Sequence, residues 1–152
     1  MDDRDALALN AFQEANIEPD DGLAAVVRVT LNRVRLRYQS DGTVSSAVFW
    51  PDAFSWTAWE MVDGRYARVA WTAAEVAARA ERLLGEAKAA RPAWLRAAAI
   101  AEKVEAGAYS GEAYDRLTPE TVLYLNPAIA RAEWAVPDKL VCEIGRHAFY
   151  RA

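Results

Sequence analysis

The sequence predicts a mainly helical α+β fold with a small antiparallel β-sheet at its C-terminal end. Three observations predict it: enough apolar residues for a core, long stretches of helical spacing, and short β-prone runs confined to the tail. The 152 residues are 53% hydrophobic and 26% charged. Since the chain has no internal repeat and no low-complexity linker, residues 1–152 are expected to form a single domain.

Four helices are predicted from the spacing of apolar residues. In the clearest, apolar residues from Leu23 to Val34 recur at intervals typical of one helical face, after a start signal at Pro19. Thr72 and Glu75 have the spacing of a capping box at the start of an alanine-rich helix. The first two helices are expected to meet at a tight corner. The four predicted helices span residues 5–16, 23–34, 72–90 and 92–107.

Residues 40–71 differ in character from the helices. Aromatic residues are mixed there with Gly, Ser, Thr and Pro and show no helical period, so we expect an ordered aromatic loop. Beyond residue 107 the pattern changes to short β-prone runs divided by turn residues. The predicted strands of the C-terminal sheet span residues 122–125, 140–144 and 147–150.

Charge and composition argue against several functional classes. With 18 Lys and Arg against 22 Asp and Glu, the formal net charge is −4, so we expect no nucleic-acid partner. No stretch is long and apolar enough to predict membrane insertion. The single cysteine and single histidine exclude an internal disulfide and a Cys/His zinc cluster. We expect the protein to bind no metal and no cofactor, and to be a monomer.

Few side chains offer a nucleophile or a base. A Cys142/His147 pair is conceivable, but Cys142 lies in an apolar run typical of a buried thiol, and both residues are expected to be structural. No glycine-rich phosphate loop and no nucleophile elbow occurs. What remains is carboxylate chemistry beside many aromatic residues, which suit a sugar-binding groove, although most aromatic residues in any protein belong to the core.

Glu14 is the carboxylate that stands out, because its segment, residues 10–15, is otherwise apolar and inward-facing. A glutamate held against apolar walls can have a pKa of roughly 6 to 7. It then keeps its proton to higher pH and can protonate a glycosidic oxygen. On spacing alone, a surface glutamate near a helix end is the simpler interpretation. The possible second carboxylates are Glu18, Asp52, Glu60 and Asp63.

Four segments, in order along the chain, carry a resemblance to a known family. Residues 12–22, followed by Leu31-Asn32-Arg33-Val34, are similar to Glu-Ala-Arg-Gly-Glu, a Gly, and a helix ending in Leu-Asn-Arg-Val. Phe54-Ser55-Trp56 is similar to a Phe-Ser-Trp motif, residues 94–107 to a Trp-to-Gly helix, and residues 144–151 to a characteristic ending. With these segments spanning nearly the full length, the chain resembles the SleB-type cell-wall hydrolases, the spore-cortex-lytic catalytic domains.

The resemblance implies a lysozyme-like fold and a single catalytic domain that cleaves the MurNAc–GlcNAc β-1,4 bond of peptidoglycan. It implies that Glu14 is the catalytic acid. It favours a lytic transglycosylase, which needs one carboxylate and leaves a 1,6-anhydro-MurNAc end, over a hydrolase that uses two. The residues implied to contact the glycan are Phe54, Ser55, Trp56, Tyr124 and Asn126.

This chain also departs from the family pattern. Asn16-Ile17 stands where the family has Arg-Gly, Ala53 replaces a Gln, and Leu125 replaces a His. The changes put substrate contacts in question and leave the acid in place. A non-catalytic descendant that binds glycan or a partner protein is therefore the alternative hypothesis.

The N-terminal residues suggest where such a protein is made. They are acidic and lack the basic and apolar regions of a secretory signal, so we expect synthesis in the cytoplasm. A wall-degrading enzyme of this kind would then act after release, as a phage endolysin or a virion-associated enzyme does.

Overall fold

Five α-helices and two antiparallel sheets make up the computed structural model, which describes all residues 1–152. The helices are α1 (Asp3–Ala15), α2 (Asp20–Leu36), α3 (Val44–Val48), α4 (Ala73–Ala89) and α5 (Arg91–Glu105). The strands are β1 (Trp59–Val62), β2 (Arg65–Arg68), β3 (Thr121–Leu125), β4 (Leu140–Ile144) and β5 (His147–Arg151). None of the helices combines the length and apolar character needed to cross a lipid bilayer.

The N-terminal half is built on α1 and α2, which meet at the predicted corner. The Asp2 side chain caps α1 by accepting a hydrogen bond from the Asp5 backbone N at 2.8 Å. α2 begins after Pro19 with Asp20 and Asp21 in its first turn, where carboxylates interact favourably with the helix dipole. Both predicted helices are confirmed, and α1 ends immediately after Glu14 and Ala15.

α1 runs through the centre of the helical layer. Leu7, Leu9 and Ala11 are almost completely buried, with α2, α4 and α5 as neighbours of the helix. Phe12 packs against Trp94 of α5 with ring centroids 6.4 Å apart. Because its position is fixed on several sides, α1 presents the side chains of its last turn in a defined direction.

The prediction of an aromatic loop over residues 40–71 is wrong in part, because this region contains α3, a 3₁₀ turn (Ser55–Thr57) and the β1–β2 hairpin. Asp63 and Gly64 occupy the turn of the hairpin with φ of 49° and 79°. An Asp-Gly pair with two positive φ values suits a two-residue hairpin turn. The region lacks a helical period because its helical segments are short and its longest regular unit is a hairpin.

The alanine-rich helix has the predicted start and extent. The side chains of Thr72 and Glu75 form both hydrogen bonds of the capping box. α4 then continues through Gly85, the predicted end of its apolar stripe, and ends at Ala89. Three of its buried side chains, Val76, Ala80 and Leu84, join the main hydrophobic core.

The C-terminal sheet has the strand order β3-β5-β4, and its antiparallel pairing is as predicted. Phe149 on β5 is fully buried and joins the sheet to the helical core. Gly145 and Arg146 form the turn between β4 and β5, with Gly145 at φ 57°. This turn lies against the corner between α1 and α2, where the Arg146 backbone N donates a hydrogen bond to Glu18 Oε2 at 3.2 Å.

Candidate active site

A groove of about 470 Å³ lies where the end of α1, the β1–β2 hairpin and the C-terminal sheet meet. Each element contributes a side chain of a different kind. Glu14 comes from α1, Arg33 from α2, Trp59 from β1, Tyr124 from β3 and His147 from β5. The groove therefore combines charged, aromatic and hydrogen-bonding groups in one concave surface.

Glu14 lies in the groove with its two carboxyl oxygens in different settings. Oε2 accepts a hydrogen bond of 2.8 Å from the Tyr124 hydroxyl. Oε1 is buried and has no hydrogen-bond partner. A buried carboxylate oxygen without a partner is costly, whereas a protonated one carries less charge and needs less solvation. The unpartnered oxygen is thus the place where a proton is best kept.

Burial raises the pKa of Glu14 above its ordinary value of 4.5. The Tyr124 hydrogen bond, the nearby backbone amides of Trp56 and Ser55, and the charge of Arg33 lower the pKa, without outweighing burial. Neither amide meets hydrogen-bond geometry with Oε1, which stays unpartnered. The position of Glu14 in the last turn of α1, near the negative end of the helix dipole, also disfavours ionisation.

Tyr124 is held by rings on the neighbouring strand. Its ring centroid lies 5.3 Å from that of His147 and 5.5 Å from that of Phe149. Burial is the main cause that raises the pKa of the Tyr124 hydroxyl well above 10, with a further contribution from the charge of Glu14. The hydroxyl therefore keeps its proton and serves as a hydrogen-bond donor to Glu14.

Arg33 is almost completely buried beside the groove and joins three parts of the structure. Its Nε donates to the Val122 carbonyl at 2.7 Å, and Nη1 donates to the Ala53 carbonyl at 3.2 Å. The guanidinium carbon lies 4.7 Å from the centre of the Phe54 ring. Burial lowers the pKa of Arg33, while Tyr124, Tyr38 and Glu14 raise it.

Most of the residues predicted to contact substrate line the groove. Phe54 is buried with its ring against Arg33, Ser55 is exposed, and Tyr124 and Asn126 are partly buried. The Asn126 side-chain oxygen accepts a hydrogen bond from the Ala128 backbone N at 3.0 Å, which orients the amide. These residues come together as predicted, although substrate contact itself stays a prediction.

The expectation that the Trp56 side chain lines the groove is wrong. Trp56 is only 6% exposed and is not among the groove residues. Its indole Nε1 donates a hydrogen bond to Asn10 Oδ1 at 2.8 Å, and Asn10 in turn donates to Thr30. Trp56 is a core residue because this partner lies inside the helical layer, and only its backbone approaches Glu14.

The possible second carboxylates fall into two groups. Glu18 and Asp52 line the groove, whereas Glu60 and Asp63 do not. Glu18 is buried, with Oε2 occupied by the Arg146 amide. Asp52 forms a salt bridge of 3.2 Å with Arg68. Glu14 is therefore the one carboxylate in the groove with a fully buried oxygen that has no hydrogen-bond partner.

Sequence reasoning missed Arg33 and His147 as groove residues. Arg33 belongs to the Leu-Asn-Arg-Val segment that resembles the family motif, so a signal was present. Its position on a largely apolar helix did not indicate that the side chain reaches the groove. His147 lies in the groove with a buried, unpartnered Nδ1. Burial lowers its pKa below 6.5, with Glu18 raising and Arg146 lowering it. The ring is therefore largely uncharged at neutral pH.

Cys142 is a buried residue of β4 and lies outside the groove. Burial raises the pKa of its thiol, and the charge of Arg116 lowers it in part. A thiol with a raised pKa is a poor nucleophile. No group of three or more His, Cys, Asp or Glu side chains is placed to hold a metal ion.

Comparisons with known proteins agree with the fold. The structure resembles the catalytic domain of the germination-specific lytic transglycosylase SleB from Bacillus anthracis, with a TM-score of 0.61 and 22% sequence identity, covering 98% of this chain and 93% of that chain. This likeness confirms the predicted lysozyme-like, mainly helical α+β fold. No curated protein matches the sequence significantly. The cell wall hydrolase family model matches residues 17–150, most of the sequence, so the chain belongs to this family of enzymes.

Proposed function

We propose that the protein cleaves the MurNAc–GlcNAc β-1,4 bond of peptidoglycan glycan strands, with Glu14 as general acid. The observation that carries the proposal is the state of Glu14, which lies in the groove with a raised pKa and one unpartnered buried oxygen. A carboxyl group tuned in this way keeps the proton that a leaving glycosidic oxygen requires. Membership of the cell wall hydrolase family and the likeness to a lytic transglycosylase domain support the same substrate.

The hydrogen bond from Tyr124 fixes the orientation of the Glu14 carboxyl group. Oε2 accepts from the tyrosine hydroxyl and Oε1 is buried, so the carboxyl group is held in one position beside the groove. As the proton leaves, charge develops on the carboxylate, and the hydrogen bond to Oε2 becomes charge-assisted and stronger. Tyr124 therefore stabilises the product of the proton transfer without taking part in it.

The carboxylates of the groove favour the lytic transglycosylase route. Glu14 protonates the glycosidic oxygen, O4 of GlcNAc, as the bond between that oxygen and C1 of MurNAc breaks. The Glu14 carboxylate then accepts the proton of the MurNAc C6 hydroxyl as its oxygen bonds to C1, which closes the 1,6-anhydro ring and returns the proton to Glu14. These two steps need one carboxylate. The other two carboxylates of the groove have partners: Glu18 accepts from the backbone amide of Arg146, and Asp52 pairs with the side chain of Arg68.

Other residues of the groove have the chemistry to hold a sugar. The partly buried Tyr124 ring offers apolar surface for the C–H face of a pyranose, and the buried Phe54 ring, 6.5 Å away, supports it from the core side. Ser55 and Asn126 also line the groove and add hydrogen-bonding groups. We propose Ser55, Tyr124 and Asn126 as the substrate contacts next to the cleaved bond, with Phe54 as a support for Tyr124.

Mass spectrometry of the soluble fragments from purified peptidoglycan tests the reaction. Wild type is expected to release fragments that end in 1,6-anhydro-MurNAc, and Glu14→Gln is expected to release none. Hydrated reducing ends from wild type would overturn the transglycosylase route and require a second group that activates water. If neither protein released fragments, the cleavage proposal would fail and a non-catalytic binding protein would take its place.

A further inference from the structure

The β1–β2 hairpin has one face turned toward the body of the protein and one turned outward. Cross-strand partners share a face, and the register pairs Trp59 with Arg68 and Met61 with Tyr66. Because alternate residues of a strand lie on the same side, these four side chains form one surface. We call the surface formed by Trp59, Met61, Tyr66 and Arg68 the outer hairpin face.

The inner face fixes the hairpin to the helical layer. Glu60 is bound by Arg79 of α4 at 2.7 Å, and Arg79 Nε also donates to the Trp56 carbonyl at 3.3 Å. The guanidinium of Arg79 lies 4.8 Å from the centre of the Trp71 ring, at the far end of the hairpin segment. The outer hairpin face is therefore a preformed surface held in a fixed position.

Three of the four side chains of the outer hairpin face are large, apolar or aromatic, and exposed. Trp59 is 42% exposed, Met61 54% and Tyr66 73%. Adjacent exposed apolar residues indicate a binding surface more strongly than single ones do. The face is also continuous with the groove, because Trp59 and Arg68 line both.

We propose that the outer hairpin face is a second glycan-binding subsite, which holds the strand beyond the sugars that lie in the groove. This inference rests on the proposed function, since it takes the occupant of the groove to be a glycan. Exposed Trp and Tyr rings suit the apolar faces of sugars. The strand that leaves the groove at Trp59 then continues over Met61 and Tyr66.

The chemistry of the face suits a glycan strand. Arg68 is the one charged residue on the face, and its guanidinium is paired with Asp52 at 3.2 Å. Both side chains of this pair are largely exposed, so the pair is weak and leaves Arg68 available to the lactyl carboxylate of a MurNAc without its peptide. The uncharged part of the face, Met61 and Tyr66, lies outside the groove.

Binding measured without turnover tests this subsite. The probes are long peptide-free glycan strands and a short oligosaccharide of the same repeat, titrated against Glu14→Gln by calorimetry. Adding Tyr66→Ala is expected to weaken binding of the long strands by about 3- to 10-fold and to leave the short oligosaccharide unchanged. Trp50→Ala is the matched control, because Trp50 is 40% exposed and lies outside the groove.

Three outcomes would overturn the subsite. If Tyr66→Ala left the binding of the long strands unchanged, Tyr66 would not contact the glycan. If it weakened the binding of both probes equally, Tyr66 would not belong to a separate subsite. A loss seen only with intact peptidoglycan, and not with peptide-free strands, would assign the face to the peptide stems. If wild type did not cleave glycan strands but still bound long strands more tightly than short ones, the proposed reaction would be overturned. The subsite would remain supported.

Discussion

Glu14 is subject to two opposing influences, and their balance decides its chemistry. The Tyr124 hydrogen bond favours the ionised carboxylate, while burial favours the protonated acid and prevails, so the pKa is raised. Such a residue keeps its proton available for a substrate oxygen that enters the groove. The same arrangement makes Glu14 a source of instability in the free protein.

The stability of Glu14→Gln reports this instability. A carboxyl group whose pKa is raised in the folded state stabilises the fold below its unfolded pKa, and this contribution is lost as pH rises through the folded pKa. Glutamine cannot ionise, so we expect Glu14→Gln to melt at a higher temperature than wild type at neutral and alkaline pH. The difference should shrink at pH values below 4.5. Thermal melts across pH measure it, and equal melting temperatures at every pH would contradict the raised pKa.

Tyr124→Phe separates the hydrogen bond to Glu14 from the rest of the groove. We expect the pKa of Glu14 to rise further, because the hydroxyl that lowers it is gone. The alkaline limb of the kcat/KM profile should move to higher pH, and the maximal rate should fall by about 10-fold or more, as a hydrogen bond to a developing charge is lost. Tyr150→Phe, on the neighbouring strand, should change neither quantity. An unshifted alkaline limb in Tyr124→Phe would show that Tyr124 does not govern the proton of Glu14.

At the scale of elements, the turn between β4 and β5 ties the sheet to the corner between α1 and α2. Gly145 has φ 57°, and a Cβ at this position would collide with Glu18 Oε2. The glycine lets the Arg146 amide reach Glu18, and that contact sets the position of Arg146 and His147 in the groove.

Gly145→Ala should break this contact. We expect a loss of stability of about 1–2 kcal/mol from the left-handed backbone alone, together with reduced activity as the sheet moves away from α1. Gly85→Ala is the control, because nothing lies within 4 Å of its Cβ position, and in a helix interior it should stabilise by about 0.5–1 kcal/mol. Denaturant melts of both variants test the difference. A Gly145→Ala variant as stable as wild type would show that the close approach is dispensable.

The elements also show what the sequence could predict and why. Helices with regular apolar spacing and end signals, such as α2 and α4, were predicted closely because their information is local. The hairpin is not predicted, although its Asp63-Gly64 turn is visible in the sequence, because each strand has only four residues and both are largely exposed. Trp56 was misplaced since nothing local reveals that Asn10 binds its indole from within the core.

At the scale of the whole molecule, the groove joins residues that are distant in the chain. Glu14 and Tyr124 are 110 positions apart, and their hydrogen bond forms only after the sheet has packed on the helical layer. Arg33 binds the Val122 carbonyl, 89 positions away along the chain, and the Ala53 carbonyl, 20 positions away. The family motifs along the chain indicated several of the residues that line the groove, Glu14 and Tyr124 among them. Their relative positions, and the single unpartnered oxygen of Glu14, follow from long-range packing that spacing does not encode.

The most direct test of Glu14 as the acid is the rate of glycan-strand cleavage by Glu14→Gln, compared with wild type and with Glu102→Gln, an exposed glutamate of α5. Loss of a general acid predicts a decrease in kcat/KM of about 100- to 10,000-fold for Glu14→Gln, with the helical circular dichroism signal retained. Glu102→Gln should keep the wild-type rate. A folded Glu14→Gln that cleaves glycan strands as fast as wild type would contradict the role of Glu14, because the proton would then have to come from another group.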